Sequence, residues 1–255
     1  MTYQDDVGDT NSRMTDFGFR RVRESEKASM VGDVFDHVAP KYDLMNDLMS
    51  GGIHRLWKAD LIRRINPRAG MAILDVGGGT GDIAFGCREK GADRIQVCDI
   101  NREMLEVGRN RAIDRNITGG ITWTCGDAEA LPVESDTVDI YVTAFCMRNV
   151  TRLDKALQEA RRVLKPGGHF MCLEFSQVAL PLLSDVYDAY SFRVLPLIGQ
   201  VVAGDRDAYQ YLAESIRRFP PQRKFADMIK DAGLEQVSFD NVSGGIAAIH
   251  SAWRI

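Results

Sequence analysis

Short apolar runs alternate along the chain with stretches whose apolar residues recur every three to four positions. Ala72-Ile73-Leu74-Asp75-Val76 is an apolar run closed by glycines, the pattern of a strand buried on both faces. Arg94-Ile95-Gln96-Val97-Cys98-Asp99 reads as a second strand, and further strands are predicted at 121–125, 138–144 and 169–175. Helical spacing resumes after Gly81, returns from Glu103 to about Arg115, and returns again from Leu153 to Leu164, where Lys165-Pro166-Gly167-Gly168 supplies stop chemistry. Two last strands, 235–241 and 245–254, are joined by Ser243-Gly244-Gly245. This alternation predicts an α/β fold, a doubly wound parallel sheet with helices on both faces. Ahead of it, Ser25 to Ile65 reads as helical, interrupted around Pro40 and at Ser50-Gly51-Gly52. Residues 1–16 are polar and acidic, too poor in apolar surface to offset chain entropy, and read as a disordered tail.

Composition narrows the partners. The 255 residues carry a net charge of −4, which argues against electrostatic capture of nucleic acid, so no nucleic-acid partner is expected. Cys87, Cys98, Cys125, Cys146 and Cys172 are odd in number and contain no CxxC pair. That argues against a disulfide framework or a zinc site, and for a reducing, cytoplasmic setting. Asp5, Asp6, Asp9 and Asp16 speak against a secretory signal and against a mitochondrial presequence. No apolar run reaches the roughly 18 residues of a membrane span, so any membrane contact is expected to be peripheral.

Asp75-Val76-Gly77-Gly78-Gly79-Thr80-Gly81-Asp82 joins the first strand to its helix. A dinucleotide fingerprint needs a third glycine where Asp82 stands, which weakens an NAD oxidoreductase reading. An acid followed by GxGxG fits Asp75, Gly77, Gly79 and Gly81, and resembles the S-adenosylmethionine (AdoMet) loop of class I methyltransferases. Asp99 ends the second strand, where a carboxylate can accept from both ribose hydroxyls of either nucleoside ligand. The segment Gly126-Asp127-Ala128-Glu129 resembles the methyltransferase segment that meets adenine through a carboxylate and a backbone group.

The flanking blocks are more specific. Residues 42–57 read YDLMNDLMSGGIHRLW. Arg148-Asn149-Val150-Thr151, Arg162-Val163-Leu164-Lys165-Pro166-Gly167-Gly168, Leu173-Glu174-Phe175-Ser176, YDAYSFRVLPLIGQ at 187–200 and AYQYLAESIRRFP at 208–220 follow. From Phe17 to Ile255 the chain resembles the ubiquinone/menaquinone biosynthesis C-methyltransferase family (UbiE type). The resemblance implies a class I methyltransferase, Rossmann-like fold: a mostly parallel seven-stranded sheet with an antiparallel C-terminal strand and an N-terminal helical extension. It implies AdoMet as cofactor, with Thr80, Asp99, Asp127 and Ala128 in contact with it. It also implies C-methylation of a membrane-dissolved polyprenyl quinol, a 2-polyprenyl-6-methoxy-1,4-benzoquinol and/or demethylmenaquinol. One departure stands out. Ala144-Phe145-Cys146-Met147 occupies the place where the family commonly has Ser-Phe-Gly before Leu/Ile-Arg-Asn, so a hydroxyl is lost and a thiol is added.

A quinol ring carbon becomes a good nucleophile when the neighbouring hydroxyl ionises, and a fixed cation in a dry pocket favours that state. Arg148 is the candidate cation, with Asn149 orienting the ring oxygen and an Arg148-aligned water as proton acceptor; a plain pairing of Arg148 with a carboxylate is the alternative. In the N-terminal block, Tyr42 and Asn46 are candidate ring contacts and His54 a candidate proton acceptor near neutral pH. A purely structural lid helix is the alternative there, whereas His37, His169 and His250 are expected to be packing or surface residues. Tyr187 and Arg193 are candidate substrate contacts in the apolar stretch 178–202, which can wrap the prenyl tail, touch the bilayer or form a dimer contact. The expected organisation is a tail (1–16), a helical substrate-covering extension (17–66) and a methyltransferase domain (67–255) with a cap insertion at 178–220. Two other functions stay open: methylation of another lipophilic acceptor, and a non-catalytic AdoMet-fold scaffold in a quinone-biosynthesis assembly.

Overall fold

A computed structural model describes residues 13–38, 47, 50–178 and 206–255. Seven strands form one sheet: β3 (Ala72–Val76), β4 (Arg94–Asp99), β5 (Ile121–Cys125), β6 (Val138–Ala144), β7 (Leu164–Phe175), β8 (Glu235–Val242) and β9 (Ala247–Trp253). Their order is β5-β4-β3-β6-β7-β9-β8. β3 pairs in parallel with both β4 and β6, and β9 runs antiparallel between β7 and β8. The chain leaves β3 in one direction and returns on its other side with β6. That reversal opens a crevice at the carboxyl ends of β3, β4 and β6.

Period-two alternation explains why both sheet faces are covered. Ile73, Ile140 and Met171 face one core and Leu74, Tyr141 and Cys172 the other. On the first face pack α2 (His54–Ile65), α3 (Asp82–Glu89), α4 (Arg102–Asp114) and α6 (Arg206–Arg218), through residues such as Leu61, Ile83, Leu105 and Leu212. On the second lie α5 (Leu153–Val163) and α7 (Gln222–Asp231), through Leu157, Ala160, Phe225 and Ile229. These strands and helices stand close to where the pattern placed them. β7 is longer than expected: it starts at Leu164, and the Lys165–Gly168 stop segment is a register shift inside it, held by Gly167 N–H to Arg254 O at 2.6 Å.

The N-terminal region differs from the expectation. Residues 14–16, read as disordered tail, belong to a strand. β1 (Met14–Phe17) pairs antiparallel with β2 (Arg20–Arg23), so the extension opens on a hairpin before α1 (Glu24–Val38). Two apolar residues, Phe17 and Val22, hold it by packing with Val31 and Tyr211 in a small separate core. Phe17 stacks on Tyr211 with ring centroids 4.2 Å apart, a contact nearly two hundred positions away that local pattern cannot reveal. Gly18 turns the hairpin at φ +59°, and a Cβ there would strike the Glu214 carboxylate.

Candidate active site

The glycine loop is shaped by β3 and β4 together. Gly77 N–H donates to Cys98 O at 2.7 Å, and Gly79 N–H donates to Asp99 Oδ2 at 2.9 Å. The other Asp99 oxygen accepts from Asn101 N–H at 2.8 Å. Burial pushes the Asp99 carboxyl up to about 6 against the pull of these donors. Asp75 is deeper still, and burial pushes it up to about 7 against the pull of the Ala84 backbone N–H, with the charge of Asp99 adding to the rise. Asp82, the residue that breaks a dinucleotide fingerprint, opens α3 and accepts from Lys58 Nζ at 2.7 Å and from Arg111 Nη2 at 2.9 Å. Burial opposes its charge, but these two cations hold its pKa below the ordinary carboxylate value.

Next to this loop lies a cleft of about 350 Å³. Its lining includes Ile100, Asp127, Ala128, Cys146 and Asn149, and α1 contributes Ala28 and Val31 from above. Cys146 joins cleft to loop, because a Cβ on Gly77 would fall 2.2 Å from its sulfur. Asn101 Nδ2 ties α1 down by donating to Asp36 Oδ1 at 2.6 Å. Asp127 stiffens its own segment by accepting from Glu129 N–H at 2.9 Å. Glu129 in turn accepts from the N–H groups of Thr151 and Arg152 at 3.0 and 2.9 Å, linking this segment to the chain just after Asn149.

Arg148 and Asn149 lie in a 3₁₀ turn (Met147–Asn149) beyond β6. Phe145, a bulky residue at φ +60°, reverses the chain there. Packing fixes this strained residue: its ring lies 4.7 Å from Phe175 and 6.3 Å from Trp57, and its N–H donates to Leu173 O at 2.8 Å. The reversal buries Arg148, whose Nη1 donates to Glu174 Oε1 at 2.9 Å and also to Phe145 O. Burial pushes the Glu174 carboxyl up while Arg148 pulls it down. Asn149 Oδ1 accepts from the Tyr211 hydroxyl at 3.0 Å. Arg148 and Tyr211 line a second cavity, of about 440 Å³, which shares Glu24 and Val150–Arg152 with the first. Lys27 donates to Val150 O at 3.0 Å beside it, and burial pulls the pKa of that amine down.

The sequence candidates therefore divide. The glycine loop, Asp99, Asp127, Ala128 and Asn149 come together, and Arg148 lies next to them with its side chain buried in the pairing with Glu174, the carboxylate pairing that the sequence left open as the alternative. His54 does not join them. It is buried in α2, its Nδ1 lies 2.9 Å from Ser50 Oγ, and it lines a separate polar pocket with Lys58, Asp82 and Arg111. Burial, reinforced by Lys58, lowers its pKa to about 4, so at neutral pH it is uncharged and a weak proton acceptor, contrary to the sequence expectation. Tyr42, Asn46, Tyr187 and Arg193 lie outside the described residues. Trp57 of the same N-terminal block is an anchor: its Nε1 donates to Ser243 Oγ at 2.9 Å and its ring meets Phe175 edge-on. His169, stacked on Trp253, and His250, whose Nε2 lies 3.0 Å from Gln222 O, are packing residues as expected.

Sequence reasoning gave no role to Glu174, Tyr211, Lys27 or Lys58. Glu174 left a signal, an acid inside the apolar run Phe170-Met171-Cys172-Leu173-Glu174-Phe175. The other three left none, because each acts across a long-range contact.

Residues 20–254 match the model of the ubiE/COQ5 methyltransferase family. The chain is 55% identical to the ubiquinone/menaquinone biosynthesis C-methyltransferase UbiE of Cereibacter sphaeroides, over 98% of this chain and 100% of that one. It is 51% identical to the mitochondrial 2-methoxy-6-polyprenyl-1,4-benzoquinol methylase of Mus musculus, over 94% of this chain and 84% of that one. In fold it is similar to a SAM-dependent methyltransferase from Thermotoga maritima, with a TM-score of 0.64 at 16% identity over 88% of this chain and 99% of that one. The chain belongs to the ubiE/COQ5 methyltransferase family and is an AdoMet-dependent methyltransferase.

Proposed function

We propose that this protein methylates a ring carbon of a polyprenylated quinol in ubiquinone or menaquinone biosynthesis. The observation that carries the reading is the juxtaposition of the cleft bearing Asp127, Ala128 and Asn149 with the cavity bearing Arg148, in a chain so similar to quinol methyltransferases. The loop suits AdoMet as a tight glycine cradle: Gly77 and Gly79 stand at φ +65° and +50°, and a Cβ at either would strike Cys146 or Met104. Gly77, Gly79, Thr80 and Gly81 would cradle it, Asp99 would accept its ribose hydroxyls, and Asp127 and Ala128 would hold the adenine. When bound, AdoMet supplies an electrophilic methyl group.

The protein's own part is to orient and polarise the acceptor. Phe145 and Glu174 fix the Arg148 guanidinium behind the cavity wall, so it acts on the developing phenolate through a fixed field and not by direct contact. Pairing with Glu174 lowers its net field, so its value lies in direction as much as in charge. Asn149, aligned by the Tyr211 hydroxyl, orients the ring oxygen through its amide N–H. The ring carbon bonds to the methyl carbon as the carbon–sulfur bond breaks, and the ring proton then leaves. A guanidinium cannot take that proton directly, so a water held by Arg148 is the acceptor. The acceptor site faces a substrate that lives in the bilayer, which makes the enzyme peripheral to the membrane; among the described residues no helix is long and apolar enough to cross it.

The test is the mass of lipid quinones from cells lacking this gene. Quinones one methylene lighter than normal establish C-methylation, and the ring type names the substrate. An unchanged profile, with purified enzyme inert on both quinols, removes this reading.

A further inference from the structure

The β1–β2 hairpin carries two kinds of exposed side chain. Its inner residues, Phe17 and Val22, are buried, while Met14 and Phe19 stand 46% and 49% exposed. Around them Arg13, Arg20, Arg21 and Arg23 are exposed as well. Residues 13–23 thus hold four arginines against one acid, Asp16, in a chain whose net charge is −4. The hairpin tip is fixed: Phe19 N–H donates to Glu214 Oε2 at 2.9 Å, and the Arg218 guanidinium lies 5.5 Å from the Phe19 ring. Behind this face, Thr15, Asp16 and Gly18 wall the cavity that reaches Arg148.

We propose that this hairpin face docks on an anionic lipid surface and sets the mouth of the Arg148 cavity against the bilayer. The inference rests on the reading of a membrane-dissolved acceptor. Charge complementarity selects the partner: guanidinium groups pair with headgroup phosphates, while Phe19 and Met14 enter the acyl boundary between them. A polyanion such as nucleic acid would use the arginines but has no place for the two apolar side chains.

The experiment is co-sedimentation of the full chain with vesicles of phosphatidylcholine alone and of phosphatidylcholine containing phosphatidylglycerol. The wild type is expected to prefer the anionic vesicles and to lose that preference in high salt. Each arginine near the surface is worth about fivefold in partition, so Arg20→Glu/Arg21→Glu lowers binding by more than about tenfold, and Phe19→Ser lowers it without changing the salt dependence. Both variants should keep wild-type AdoMet affinity and wild-type turnover of a short-chain quinol in solution. Sedimentation of the double variant equal to wild type, or a wild type indifferent to anionic lipid, overturns the proposal. Failure of wild-type turnover on the soluble quinol would count against the acceptor reading, and the vesicle result judges the docking face separately.

Discussion

The two sides of the crevice are built differently. On the cofactor side, β3, β4 and β5 deliver the glycine loop, Asp99 and Asp127 in chain order, and backbone groups from adjacent strands do most of the positioning. On the acceptor side, Arg148 depends on Glu174 from β7, Asn149 on Tyr211 from α6, and Val150 on Lys27 from α1. Local geometry builds the first side, and distant side chains build the second. The first should therefore tolerate single side-chain changes outside its ligand contacts, while the second should fail when a distant partner is removed.

Glu174→Ala tests this most severely. It leaves the Arg148 guanidinium buried without its carboxylate, which costs about 3–5 kcal/mol. Denaturant unfolding should show that loss, and turnover should fall with it, while AdoMet binding to the folded fraction stays near wild type. An equal loss of cofactor affinity would mean that the two sides are one unit. Arg148→Lys is milder for the fold, because charge is kept and the planar fork is lost. Turnover should drop about a hundredfold with AdoMet affinity within about twofold, as expected for a donor aimed at developing charge. Full turnover in that variant would end any role for the guanidinium plane.

The same difference decides what could be read in the sequence. The sheet, the glycine loop and Asp99 are legible because strand pattern and loop spacing are local properties, whereas the Asp127-Ala128 segment is legible through its resemblance to methyltransferases. Arg148 and Asn149 were legible only through resemblance. Their partners Glu174, Tyr211 and Lys27 had to wait for the tertiary structure, and so did the hairpin, whose Phe17 and Val22 find their packing partner in α6. His54 follows the same rule: sequence shows an imidazole with a histidine's ordinary pKa, and the enclosure in α2 that lowers it is a property of packing.

Asp99 sharpens the cofactor side through pH. Burial pushes its carboxyl up to about 6 in the folded chain, above the roughly 3.9 of an unfolded aspartate. Above pH 6 it is charged and, in the proposed AdoMet cradle, would accept ribose hydroxyls. As pH falls through 6 it takes up a proton, loses acceptor capacity, and AdoMet affinity should weaken. The empty fold responds with the opposite sign: an elevated carboxyl pKa costs stability at neutral pH, and that cost is relieved as pH falls from about 6 toward about 4. Asp99→Asn should bind AdoMet about ten- to thirtyfold more weakly at pH 8, the loss expected for hydrogen bonds to a charged group. Calorimetry across pH 5–8 should then find affinity nearly flat in the variant, and a wild-type profile equally flat would exclude Asp99 as the titrating contact.

The smallest expected effect is the most discriminating, because Lys58 belongs to the N-terminal extension yet touches the cofactor side. Its amine pairs with Asp82 at 2.7 Å, at the start of the helix that follows the glycine loop, and Arg111 holds the other Asp82 oxygen. Lys58→Met keeps the aliphatic stem and removes one of two cations. Trp57 still fastens α2 through Ser243 and Phe175, so the helix should stay in place. What loosens is the hold on Asp82, and with it the end of the loop. AdoMet affinity should fall about three- to fivefold, in keeping with a partly buried pair whose partner keeps a second cation, and turnover at saturating AdoMet should not change. Arg63→Met, which removes an exposed pair with Asp60 on the same helix, is the control and should change neither. If Lys58→Met instead lowers turnover at saturation, α2 reports to Arg148 through Trp57, Phe145 and Phe175, and the independence of the two sides fails at that aromatic cluster.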